Sequence, residues 1–179
     1  MRLTRFATAC GTALLTFTLN GCADGPPRAV QPPLCGTGQL SLRAGPADAG
    51  MGHVTRTLVL ERRGGGTCRL HGTPQLQLLD AHDAPLPTVQ RGIAYPLVPG
   101  RMPPMIWLEP GAAAHFTVHY ATATGYGGAH CPTAAALAVT PPGAKSALRL
   151  ALPITAYGGS LPNPVCGELR VSALWPGAS

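Results

Sequence analysis

The sequence predicts an all-β domain built as a sandwich of two antiparallel sheets, and three observations predict it. Apolar residues alternate with polar ones in short runs, turn-forming residues punctuate those runs about every ten residues, and no stretch joins a helical period to helix caps. Apolar residues make up 45% of the 179-residue chain and charged residues 11%, a balance that favours a packed core over self-repelling disorder. The 23 glycines and 20 prolines are scattered between the apolar runs, where they act as turns.

The elements follow in order. Leu40 and Leu42 alternate with polar neighbours, and Val54 to Glu61 (VTRTLVLE) sets Leu58 and Leu60 on one face. Gly64-Gly65-Gly66 turns the chain into Thr67 to His71. Gln75 to Leu78 alternates cleanly before a polar turn at Asp80 to Asp83. Gln90 to Pro104 reads as a long Pro-rich loop, a mobile segment by length and composition. Met105 to Leu108, a Glu-Pro-Gly turn, and His115 to Ala121 come next, with Phe116, Val118 and Tyr120 on one face. Ala135 to Thr140, Ala147 to Leu152 and Glu168 to Trp175 complete a set of seven to nine strands.

The N-terminus predicts export. Arg2 and Arg5 precede the uncharged stretch Phe6 to Leu19, which is too short to cross a bilayer. Leu19-Asn20-Gly21-Cys22 then resembles a bacterial lipobox, with Cys22 as the acylated residue. The rival is cleavage after Ala23, which would discard Cys22. The expected organisation is a signal peptide over 1–21, the lipidated cysteine and a Pro-rich linker over 22–33, and the sandwich domain over 34–176. The expected location is the cell envelope, anchored by lipid; Asp24 at +3 instead of +2 favours the outer membrane where two exist.

Export sets the redox state. Cys35, Cys68, Cys131 and Cys166 remain in the domain, with no spacing short enough for a CxxC motif, so two disulfides are expected. Of three connectivities, Cys35–Cys68 with Cys131–Cys166 keeps each crosslink within its own half of the chain.

Twelve arginines and a single lysine face seven acids. Without Arg2 and Arg5 the mature chain carries eleven basic against seven acidic residues, a charge of +4. No basic run exceeds Arg62-Arg63 and no aromatics interleave, which argues against a nucleic-acid partner and for a solvated basic face.

Several stretches carry a resemblance. Gly66-Thr67-Cys68-Arg69-Leu70-His71-Gly72-Thr73-Pro74 followed by Leu76 to Asp80, the turn Leu108-Glu109-Pro110-Gly111 with Ala112 to Ala114, the region from His130-Cys131-Pro132 to Leu137-Ala138-Val139-Thr140-Pro141-Pro142-Gly143, and Cys166 to Ser172 are together similar to the bacterial domain-of-unknown-function 4232 family. The resemblance covers Leu34 to Trp175. Where that family has an Asn-Thr/Ser turn, this chain has Glu61-Arg62-Arg63. The resemblance implies a secreted or lipid-anchored immunoglobulin-like sandwich with paired cysteines, and it brings no catalytic residues.

Three groups of residues bear on possible chemistry. Gly158-Gly159-Ser160-Leu161-Pro162 ends in a proline where a nucleophile elbow needs glycine, and reads as a turn. Asp80 and Asp83, with His82 between them, read as a solvated hairpin tip. Met51, His53, Met102 and Met105 offer thioether and imidazole donors of the softness Cu(I) prefers. His115 and His119 lie about 13 Å apart on a strand, too far for one ion. No cofactor is expected. The reading is therefore a non-enzymatic envelope lipoprotein that binds a partner, its partners being the membrane through its anchor and an envelope protein or other ligand. A periplasmic copper-binding lipoprotein is the alternative, and a hydrolase a distant third.

Overall fold

The computed structural model describes residues 31–93, 102–122, 134–153 and 167–177, with the backbone of 155–156 and 159–160. The architecture is all-β, as the alternation predicts; the one helical piece among the described residues is a 3-10 turn, Thr37–Gln39. The thirteen described strands are β1 (Leu40–Gly50), β2 (His53–Arg62), β3 (Cys68–Leu70), β4 (Gln75–Leu79), β5 (Val89–Ile93), β6 (Ile106–Leu108), β7 (Ala113–Ala121), β8 (Ala136–Thr140), β9 (Leu148–Ala151), β10 (Thr155–Ala156), β11 (Gly159–Ser160), β12 (Glu168–Ser172) and β13 (Trp175–Pro176).

One large sheet runs β1-β2-β7-β12-β5, with β13 also on β7. A smaller sheet runs β4-β8-β9, and two short ribbons pair β3 with β6 and β10 with β11. The two main sheets enclose the core. Val54, Leu58 and Leu60 from β2, Phe116, Val118 and Tyr120 from β7, and Leu169 and Val171 from β12 meet Leu76, Leu78, Leu137 and Val139 from the smaller sheet. The period-two pattern of β2 and β7 produces this directly, because alternate residues of a strand share one face.

Four expectations are corrected. Strands number more than seven to nine, because two-residue pieces such as β10, β11 and β13 carry no readable period. Gln90 to Ile93, read as the start of a loop, belongs to β5, and β5 pairs parallel with β12, so not every pairing is antiparallel. Gly159 and Ser160, read as a turn, form β11 against β10. Arg56 and Arg62 are interior residues, exposed by only 1% and 3%, and not part of a solvated basic face.

Two devices hold the edges. Cys35 and Cys68 form a disulfide across 33 residues, as expected, and beside it Cys35 N–H donates to Arg69 O (3.0 Å) and Arg69 N–H to Pro33 O (2.9 Å), so the incoming chain lies along β3. The free edge of β4 is sealed by side chains: Leu76 N–H donates to Gln90 Oε1 (2.8 Å), Gln90 Nε2 donates to Pro74 O (2.8 Å), and Leu78 N–H donates to Thr88 Oγ1 (3.1 Å). An edge whose backbone groups are satisfied this way cannot recruit a stray strand.

Candidate functional site

The β3–β6 ribbon is too short to hide both faces. Cys68, Leu70, Ile106 and Leu108 point inward and are buried, which leaves Arg69 and Trp107, paired across the ribbon, on the outer face. Trp107 is half exposed, Met105 two residues earlier is 41% exposed, and Leu34, bridged to Arg69, is 44% exposed. Leu34 lies against Gly143, where a Cβ would fall 2.6 Å from Leu34 Cδ1 and φ is +80°. Arg69 donates through Nη1 to the Gln31 side-chain carbonyl, while its Nε is buried without a hydrogen-bond partner. A tryptophan, a methionine and a leucine thus surround an arginine on one face.

The second constellation sits at the β1–β2 hairpin. The two linking residues have positive φ, Met51 at 50° and Gly52 at 77°, the conformation of a type I′ turn. Gly suits it; Met, fully exposed here, does not. The register between β2 and β7 pairs Thr55 with His119 and His53 with Ala121, so His53 and His119 lie diagonally on the outer face. Their rings stack with centroids 5.2 Å apart and planes 15° apart. Burial, then His53, then Arg170 hold His119 below the ordinary histidine range.

The third lies between the sheets. Arg56 shares the inner face of β2 with Val54 and Leu58; its Nη1 donates to Gly45 O at 3.4 Å across the irregular register of β1, and its Nε and Nη2 have no hydrogen-bond partner. Beside it Tyr120 is pushed above the ordinary phenol range by burial, an effect the guanidinium partly opposes. A cavity of about 10 Å³ adjoins both, bounded otherwise by Leu58, Val118, Leu137, Leu152 and Leu169.

The structure divides the predicted metal set. Met51 and His53 belong to the hairpin of the large sheet, whereas Met102 and Met105 precede β6 of the short ribbon, and nothing in the described geometry joins the two pairs. Among the described residues no three of His, Cys, Asp and Glu gather into a metal-binding group. His115, on β7 with His119, meets Gly177 O through Nδ1 at 2.9 Å. Asp80 to Asp83 is a turn as read: the Asp80 carboxylate accepts from His82 and Ala84 N–H, both at 2.8 Å, and these bonds hold it below the ordinary carboxylate range. Asp83 pairs with Arg149 at 2.8 Å. Cys22, Cys131 and Cys166 lie outside the described residues. The meeting of His53 with His119 was missed because it depends on the register of two strands far apart in sequence.

Fold and faces together define a disulfide-stapled, all-β sandwich domain. The chain belongs to the family described as Domain of unknown function (DUF4232), whose model matches residues 35–175. No curated protein and no solved structure matches it.

Proposed function

We propose that this protein is a non-enzymatic, lipid-anchored envelope domain that binds a protein partner through the face formed by Leu34, Arg69, Met105 and Trp107. The observation that carries this reading is the half-exposed Trp107 paired with Arg69. Trp, Met and Arg are the residue types enriched at the centres of protein interfaces, where truncating a Trp or Arg anchor is most costly. Four of the described acids serve other ends: Asp80 organises a turn, and Glu61, Asp83 and Glu168 form surface ion pairs. A lipid on Cys22 would tether the domain to the membrane.

A photo-activatable residue at position 107, compared with one at Thr55 on the opposite sheet, tests this in cells. One discrete adduct from position 107, lost in an Arg69→Ala/Met105→Ala background, is the expected result. Equal labelling from both positions, or none, overturns it. Labelled palmitate incorporated by the parent and not by Cys22→Ala checks the anchor.

A further inference from the structure

We infer that Met51, His53 and His119 form a copper site at the β1–β2 hairpin, independent of the partner-binding face. Three observations meet there. Two imidazoles from different strands stack with centroids 5.2 Å apart on an exposed face. The next outward donor along the chain is the thioether of Met51, fully exposed. Met51 also occupies a left-handed backbone position, φ 50°, that Asn or Gly would fill with less strain. Thr122 N–H donates to Gly52 O at 2.8 Å, which ties the end of β7 to the turn and keeps the three donors at one end of the sheet.

The chemistry selects the ion. Two imidazoles suit several transition metals, and a thioether added to them favours Cu(I) over Zn(II). Two imidazole nitrogens that bind one metal at about 2.0–2.1 Å each lie at most about 4 Å apart, so the rings, stacked here with centroids 5.2 Å apart, must turn out of their parallel arrangement to share an ion. Charges of both signs stand near the histidines: Arg170 is paired with His119 across β7 and β12, and Asp48 faces Thr55 from β1. A cation at the histidines is repelled by Arg170 and attracted by Asp48, so both set its affinity.

The test is chelator competition for Cu(I) with the full-length protein, its free thiols alkylated. The expected dissociation constant is tighter than about 1 μM, and His53→Ala and His119→Ala each weaken it at least ~100-fold. Met51→Leu should weaken Cu(I) about tenfold while leaving Zn(II) unchanged, and Arg170→Gln should tighten both. All these residues are at the surface of the sheet, so far-UV circular dichroism should show the variants folded. Affinity weaker than about 1 μM, affinity indifferent to either histidine, or affinity lost instead in Met102→Ala/Met105→Ala overturns the site.

Discussion

Two arginines of β2 show what one residue type does in two interiors. Arg62 is saturated: its guanidinium donates to Gly66 O at 3.2 and 2.9 Å, to Gly65 O at 2.6 Å, to Gln39 O at 3.1 Å, and to Arg63 O. It thereby fixes the glycine loop that connects β2 to β3. Arg56 is poorly matched by comparison, a permanently charged group that reaches Gly45 O at 3.4 Å and lies beside the Tyr120 side chain, with Nε and Nη2 lacking partners in an otherwise apolar setting. The prediction is a split. Arg62→Met should destabilise by about 2–4 kcal/mol, because several carbonyls lose a charged donor at once. Arg56→Met should be neutral or stabilising by up to about 4 kcal/mol, as apolar replacements of poorly compensated buried charge often are. Urea titration of both variants separates the outcomes, and Tyr120 in Arg56→Met should titrate at still higher pH in ultraviolet spectra. The alternation that sets Leu58 and Leu60 inward sets Arg56 inward too. That position was legible, but the general exposure of arginine argues against it, and only the packed sheets show otherwise.

At the scale of elements, short local signals were readable and long-range partnerships were not. The Gly64-Gly65-Gly66 turn, the Asp80 turn and the facing pattern of β7 all follow from a few neighbouring residues. The parallel pairing of β5 with β12, and the split of the methionines between two sheets, depend on segments far apart in sequence. The hairpin at Met51 carries a prediction of its own. Met51→Asn, which tolerates the left-handed turn, should stabilise the domain by about 0.5–1 kcal/mol in thermal melts. Removing the staple acts in the opposite direction: Cys35→Ala/Cys68→Ala should cost about 3–4 kcal/mol by releasing a loop closed across 33 residues.

For the whole molecule, acid should weaken the fold in two separated stages. His119 binds its proton less readily folded than unfolded, so stability is complete above the ordinary value of 6.5 and falls as pH drops below it, where the unfolded chain protonates first. Asp80 has a lowered carboxyl, so its contribution is present above the ordinary value of 3.8 and disappears as pH falls through the folded value. Melting temperatures from pH 8 to 3 should show both steps, and His119→Gln should erase only the first. The two-layered all-β class was legible because alternation and turn spacing are repeated along the chain; the order of strands within the layers was not, because no local pattern encodes it.

That order has a further result. β7, at the middle of the large sheet, needs β2 on one flank and β12 and β13 on the other, and those last two end at residue 176. The large sheet therefore cannot close around β7 until β12 and β13 have been made, more than a hundred residues after β2, so its folding waits on contacts of long sequence separation.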